Sequence, residues 1–217
     1  IYFGLQRREM HAAWGDARYA ALMSLIRSSC LRLKNLPVAA RNWRPHVLAY
    51  VSDPLRELDL VRFATWFSQQ RGVVTVCKLL VGDLMKDPPQ MVTTRDEMRE
   101  VLASEGVVAF PEVDIVRDLV DDIVDVAQAN GIAGLQSNTV LVGWPKKPGR
   151  LEAWLRIMRA LSRVGKSTLL ARLNWQLEPG QEQRIVIWWG GLENNGDLML
   201  LLAHLLQLNT EWSNASI

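Results

Sequence analysis

The sequence predicts an α/β fold in which helices flank a mostly parallel β-sheet, arranged as two tandem βα halves after an N-terminal helical arm. Short Val, Ile and Leu runs alternate with segments whose apolar residues recur every three or four positions, as in βαβ units. The apolar runs are continuous, which indicates strands buried on both faces. With 217 residues, 49% of them hydrophobic, the chain is long enough to bury a substantial core.

The helical arm is predicted for residues 1–36. Apolar residues recur along one side of a helix that runs from residue 5 to about 34, namely Met10, Trp14, Ala17, Ala21 and Leu25. Such a stripe needs a partner surface. We therefore expect these five residues to contact a second copy of the chain or a membrane domain.

The first α/β half is predicted for residues 37–145. Its strands are expected at Val47–Val51, in VVTVCKLLV after Gly72, in GVVAF at 106–110 and in NTVLVG at 138–143. The segment GDLMKDPPQMVTT is expected to be a loop. Three helices are expected. The first has Pro54 at its first position and Ser52 or Asp53 as its N-cap, and the second runs from about 95 to 105. The third has apolar residues along one side from Val116 to Ala127 and stops at Asn130 and Gly131.

The second α/β half is predicted for residues 146–217. The helix that contains Trp154 is followed by the strands TLLARL and RIVIWW, and then by a helix from Asp197 to about Leu208. The chain begins without methionine, and its second half is expected to be truncated, so we interpret the sequence as a piece of a longer protein.

The stretch VGKSTLL at residues 164–170 is similar to the end of a phosphate-binding loop. That loop requires a glycine five residues before Gly165 and a preceding strand, whereas Ala160 stands there inside a helical pattern. Gly165 is instead expected just after a helix C-terminus, with a short buried strand behind it. The pattern therefore argues against a P-loop ATPase.

Composition excludes several other classes. The net charge is +2 and the basic clusters are small and scattered, so no nucleic-acid partner is expected. His11, His46 and His204 show no ligand spacing with the cysteines, so no metal site is expected. Cys30 and Cys77 are expected to be buried thiols. No secretory signal is present, and the longest apolar run, near residues 198–206, is too short to cross a bilayer.

Ligands of parallel sheets bind beyond the carboxyl ends of the strands. The expected ends carry Ser52, Asp53, Gly82, Gly143 and Trp144. The stretch GIAGLQSNTVLVGWP resembles the glycine pattern of universal stress proteins, which bind ATP there, but its spacing is one residue short and Trp144 and Pro145 obstruct the turn. We interpret these residues as a vestigial nucleotide cleft, and no cofactor is expected.

Catalytic residues are not apparent. The candidate acids Asp53, Asp83, Glu112, Asp121 and Asp122 are expected at helix starts or on exposed helix faces, where they cap helices. The nucleophile motif GxSxG is absent, and His204 lies in an apolar helix. The sequence predicts no enzyme.

Three motifs carry a family resemblance over nearly the whole chain. RNWRPHVLAYV, SNTVLVGWP and IVIWWGGLENNGDLMLLLAHLLQLNTEW resemble, in the same order, motifs in the cytosolic C-terminal domain of cation-chloride cotransporters. HAAWGD is similar to the segment that follows the last membrane helix of that family. The short linkers favour a prokaryotic member.

The resemblance implies a regulatory and dimerising domain on the cytoplasmic side of a cell membrane, attached to a transport domain that moves chloride together with sodium or potassium. It implies two halves similar to universal stress proteins and no catalytic activity, while the phosphorylation sites of animal members have no match here. One alternative from another class stays open, a free-standing nucleotide-binding protein of the universal stress type.

Overall fold

The structure, a computed structural model, describes most of the chain. The described residues are 17–36, 43–69, 71–83, 85–86, 88–132, 135–145, 148–173, 184–188 and 195–217. The chain separates into two compact units, Ile1–Trp43 with Gly131–Gln136, and Arg44–Asn130 with Ser137–Ile217. The predicted boundary between two α/β halves after residue 145 stays a prediction.

The first unit contains helix α1 (Ala17–Lys34). This helix lies within the predicted arm, whereas Met10 and Trp14 lie outside the described residues. Ala21 is exposed, and Tyr19 and Leu25 are 68% and 63% exposed. Exposed apolar side chains surround the helix and do not follow one stripe, and they include Leu22, Met23, Ile26, Leu31 and Leu33.

The second unit is built on a five-stranded parallel sheet. The strands, in chain order, are β1 (Val47–Tyr50), β2 (Val74–Val81), β3 (Phe110–Val116), β4 (Thr139–Gly143) and β5 (Ser167–Ala171). Their spatial order is β3-β2-β1-β4-β5, and all four neighbouring pairs are parallel. This confirms the predicted fold class.

Helices cover both faces of the sheet. They are α2 (Leu58–Ser68), α3 (Pro88–Ser104), α4 (Leu119–Ala129), α5 (Leu151–Arg163) and α6 (Asn195–Gln207). Alternate residues of β1 point to opposite faces: Val47, Ala49 and Val51 pack with α2 and α3, whereas Leu48 and Tyr50 pack with α4 and α5. The chain runs from β1 through β2 to β3 in one direction across the sheet and then returns to β4 and β5 in the other. Because each crossover is right-handed, the connecting helices of the two directions lie on opposite faces. Helix α6 packs on α2, where Trp66 and Phe67 meet its leucines.

Two helix boundaries in the first half differ from the sequence prediction. Helix α3 begins at Pro88, within the segment predicted to be a loop, because proline suits the first turn of a helix. Asp53 hydrogen-bonds to the amides of Leu55 and Arg56, as a capping residue does, but α2 begins only at Leu58, after a turn.

The third strand starts later than predicted, at Phe110 and not at Gly106. Gly106 ends α3 with a positive φ of 64°, and the next residues approach the core before pairing begins. Val116 therefore lies at the end of β3 and not on the following helix. Polar residues are tolerated in this strand because it is an edge strand.

The predicted strand RIVIWW is wrong over its described residues, 184–188. They form a single parallel bridge, between Arg184 and Ser216, and Ile185 N–H donates to the Ser216 carbonyl at 2.7 Å. Both edges of the sheet, β3 and β5, are formed by other segments. Trp188 is 86% exposed.

Candidate functional site at the carboxyl edge of the sheet

The topological switch point lies between β1 and β4. The chain leaves β1 towards β2, whereas β4 continues to β5 on the opposite side, so the two connections diverge. Crevices of this kind hold the ligands of open α/β sheets. Ser52, Gly143 and Trp144 line one cavity there, while Asp53 lies one residue farther along the turn. Their role as a vestigial nucleotide cleft stays a prediction. Gly82 follows β2, and its N–H donates to the Val116 carbonyl at 3.0 Å.

Two cavities share this crevice, and Glu57, Gly143, Trp144 and Pro145 line both. One, of about 730 Å³, also borders α2 and the end of β5; the other, of about 440 Å³, extends between α4 and α5 to Trp154. Both volumes are in the range of small-molecule sites. The chemistry of the lining must therefore decide what the crevice can bind.

The turn after β1 already contains an anion, the carboxylate of Glu57. It accepts hydrogen bonds from the Ser52 N–H at 2.7 Å and from the Ser52 hydroxyl at 3.0 Å. Asp53 Oδ1 accepts from the N–H groups of Leu55 and Arg56, at 3.1 and 3.4 Å. Because the protein's own carboxylates occupy these donors, a phosphate would meet negative charge where a nucleotide site presents free N–H groups.

The turn after β3 has the same chemistry. Asp118 caps α4 by accepting from the N–H groups of Val120 and Asp121, at 2.7 and 3.0 Å. Asp122 Oδ2 accepts from the N–H groups of Arg117 and Asp118, at 2.7 and 3.1 Å. The carboxylates of Asp118 and Asp122 act as local caps. Asp121 and Asp122 both lie in the first turn of α4, as predicted, but Asp121 contributes only its backbone N–H to the cap.

The turn after β4 has few backbone donors to offer. The Trp144 N–H donates to the Ala171 carbonyl at 2.7 Å, and Pro145 has no N–H. At Gly143 a Cβ would meet only the Leu60 side chain, at 3.8 Å, so packing within the protein does not require glycine there. The Trp144 ring, 46% exposed, stands between the two cavities.

Lys166, the lysine of VGKSTLL, lies at the start of β5, at the edge of the sheet opposite the crevice. Gly165 has a φ of 74° and ends α5, as predicted. The Lys166 side chain is buried and donates to both the carbonyl and the hydroxyl of Ser137. Burial lowers the pKa of this ammonium. Strand β5 is only half-buried, which corrects the expectation of a buried strand, because it forms an edge of the sheet.

A buried polar cluster lies under α4, and its Tyr50 and Ile123 also line the smaller cavity. The Cys77 thiol is 3.6 Å from Asp114 Oδ2, and the Tyr50 hydroxyl donates to the Ile123 carbonyl at 2.9 Å. Burial, with the charge of Asp114, raises the pKa values of Cys77 and Tyr50, so both groups stay protonated. Glu112 belongs to strand β3 and not to a helix, and burial raises its pKa. None of these contacts activates a nucleophile.

The predictions for the two cysteines differ in outcome. Cys77 is buried as predicted, but Cys30 is partly exposed. Within the described ranges no group of three His, Cys, Asp or Glu side chains could hold a metal, and no helix is long and apolar enough to cross a membrane. Sequence reasoning missed Glu57, because its five-residue distance from Ser52 matches no capping motif.

Comparisons with known proteins bear on the fold. No protein-family model matches the chain. Among solved structures, the chain is similar to one described as the cytoplasmic domain of a prokaryotic cation chloride cotransporter, with a TM-score of 0.53 and 22% sequence identity. The match covers 80% of this chain and 64% of that chain, so this chain spans less than two thirds of that structure. The chain therefore shares its fold with a domain from the family whose motifs its sequence resembles.

Proposed function

We propose that this chain is a non-catalytic cytosolic regulatory and dimerisation domain of a membrane cation-chloride cotransporter, which carries chloride together with sodium, potassium or both. The observation that carries the proposal is the likeness in fold to the cytoplasmic domain of a prokaryotic cotransporter. The ordered motifs of the sequence support the same family independently of the fold. In this function the ion path lies in a membrane domain, and the domain described here modulates it from the cytoplasmic side.

The chemistry of the crevice supports a role without catalysis or nucleotide binding. Glu57 and Asp118 use their carboxylates to satisfy backbone N–H groups, and Trp144 lines both cavities of the crevice. A nucleotide site needs such donors free. Arg56 and Arg172 line the larger cavity and Arg150 lines the smaller one, so the occupied donors, and not the charge of the lining, argue against a nucleotide. The interactions of the domain with other protein surfaces then carry its function.

Helix α1 supports attachment to another protein domain. Its 18 residues span roughly 27 Å. The exposure of Tyr19, Leu25 and Ile26 leaves apolar surface that a partner would cover. We assign this partner to the membrane domain of the same transporter, or to the arm of a second copy.

Transport measurements with the complete gene test the proposal. Cells that express the full-length protein should take up rubidium or sodium in a chloride-dependent manner, and removal of this domain should change that rate while the protein still reaches the membrane. Surface labelling of both forms is the control. Equal chloride-dependent uptake with and without the domain would contradict a regulatory role, and an open reading frame without membrane spans would contradict attachment.

The alternative function is a free-standing nucleotide-binding protein of the universal stress type. The cavities at the switch point between β1 and β4 favour it, because ligands of such sheets bind there. Calorimetric titration with ATP separates the two functions. We expect no low-micromolar binding, since the turn donors are occupied by Glu57 and Asp53.

A further inference from the structure

Helices α4 and α5 lie side by side on one face of the sheet and carry opposite charges. Helix α4, LVDDIVDVAQA, contains Asp121, Asp122 and Asp125 and no basic residue. Helix α5, LEAWLRIMRALSR, contains Arg156, Arg159 and Arg163 and a single acid, Glu152. Both helices bury residues in the same core, so their opposite sides form one continuous outer face. We call it the α4/α5 face.

The charges of this face point to solvent. Asp121 and Asp125 are exposed and stand one turn apart, opposite the buried side of α4. Arg156, Arg159 and Arg163 are exposed at intervals of three and four residues, opposite the buried side of α5. The two charged stripes therefore run along neighbouring helices.

These side chains have no ion-pair partner among the described residues. The salt bridges found there join other residues, on α2, α3 and the turns. An exposed leucine accompanies the charges: Leu155, next to Arg156 on α5, is 43% exposed. The face thus presents unpaired charges of both signs with little apolar surface, so a partner is selected by its charge pattern.

We propose that the α4/α5 face binds the same face of a second copy of this chain. If the two-fold axis runs parallel to the helices, the acidic α4 of one copy lies opposite the basic α5 of the other. The same contact then forms twice, as in any isologous dimer. This proposal rests on the proposed function and names the surface for its dimerisation.

Charge complementarity favours a second copy over other partners. An anionic membrane surface would attract the arginines of α5 but repel Asp121 and Asp125 beside them. An acidic peptide would match only one of the two helices. A partner with both signs in the matching order satisfies the whole face, and a two-fold copy supplies this order.

The size of the face predicts a weak dimer. Two helices of 11 and 13 residues are roughly 17 and 20 Å long, and their combined width is roughly 20 Å. The resulting area of about 350–400 Å² per copy is below the roughly 800 Å² of a stable complex. Association of the isolated chain should therefore depend on protein concentration and weaken with salt.

A charge-reversal experiment tests the proposal. Variant one, Arg156→Glu/Arg159→Glu, makes both helices acidic, and variant two, Asp121→Lys/Asp125→Lys, makes both basic. Sedimentation equilibrium at low salt should show a dissociation constant raised at least about tenfold for each variant alone. An equimolar mixture should restore association to within about threefold of the wild type, because acidic helices then face basic ones in both contacts.

The matched control is Arg56→Glu/Arg99→Glu, the same charge change away from the α4/α5 face, which should leave association unchanged. The proposal is overturned if either variant dimerises like the wild type, if the mixture stays as monomeric as its components, or if the wild type is monomeric at every concentration. It is also overturned if the wild type binds phosphatidylserine vesicles through α5 and shows no self-association. Chloride-dependent uptake tests the proposed function separately, so either idea can fail alone.

Discussion

Replacement of Lys166 by methionine distinguishes a structural lysine from a catalytic one. The ammonium group lies 3.0 Å from the Ser137 hydroxyl and also donates to the Ser137 carbonyl. Ser137 is 5% exposed and precedes β4, so these hydrogen bonds hold the strand's entry against the start of β5. Methionine keeps most of the side-chain volume but removes the ammonium group that donates both hydrogen bonds.

The magnitude follows from the loss of these hydrogen bonds. Leaving a buried acceptor without a partner costs about 1–3 kcal/mol. The desolvation of the ammonium, which lowers its pKa, offsets part of what the hydrogen bonds contribute. We expect Lys166→Met to lower the free energy of unfolding by about 1–3 kcal/mol, or the melting temperature by roughly 2–12 °C for a chain of this size.

Urea denaturation of the wild type, Lys166→Met and a control, Lys86→Met, measures the effect. The Lys86 side chain is 78% exposed, so the control should stay within about 0.5 kcal/mol of the wild type. The pH dependence gives a second readout. Since the pKa of Lys166 in the fold lies below its ordinary value of 10.5, the unfolded chain binds more protons below that pH. The stability of the wild type relative to Lys166→Met should therefore rise as the pH approaches 10.5.

Two results would refute this reasoning. Unchanged stability in Lys166→Met would show that the Ser137 contacts contribute nothing. An ATPase rate, or an ATP-induced rise in melting temperature, that disappears in Lys166→Met would restore the phosphate-loop interpretation of VGKSTLL.

Three further predictions concern buried groups. Tyr50→Phe removes a buried hydrogen bond to a carbonyl of α4 and should cost about 1 kcal/mol in urea denaturation. The His46 Nδ1 accepts from the Val73 N–H at 3.2 Å, and burial lowers the pKa of His46. The stability of the wild type relative to His46→Gln should therefore fall as the pH drops below 6.5. A constant stability difference between the two proteins across a pH series of denaturation curves would contradict this. Gly72→Ala would force a Cβ into a backbone carbonyl and should cost about 1–3 kcal/mol, whereas Gly149→Ala, with open space, should leave the melting temperature nearly unchanged.

The parallel sheet was predictable because its central strands are buried on both faces. In β1 and β4 every side chain from Val47 to Tyr50 and from Thr139 to Val142 is buried, and such runs are apolar without alternation. The helix end at Gly165 was equally predictable, because a left-handed residue there favours glycine. These features depend on local sequence alone.

The edges of the sheet were harder to predict. Strand β3 contains Pro111, Glu112 and Asp114, which sequence patterns associate with loops and helix starts, yet an edge strand accepts them because one side needs no pairing. The segment RIVIWW has a strong strand pattern but bonds to the C-terminal residues. Which segment pairs with the sheet is a tertiary outcome that local patterns do not encode.

The candidate crevice was predictable in position but not in chemistry. Strand ends placed Ser52 and Trp144 at the carboxyl edge, whereas the hydrogen bond between Glu57 and the Ser52 N–H depends on how the turn before α2 folds. That contact matters for ligand binding, because the same fold with a free turn could accept a phosphate. Glu57→Gln gives a direct comparison: it removes the negative charge while the Ser52 N–H can keep an acceptor. If calorimetry detects no ATP binding in the wild type or in this variant, the turn of Trp144 and Pro145 is sufficient to exclude nucleotides. If only the variant binds ATP, the charge of Glu57 is the barrier.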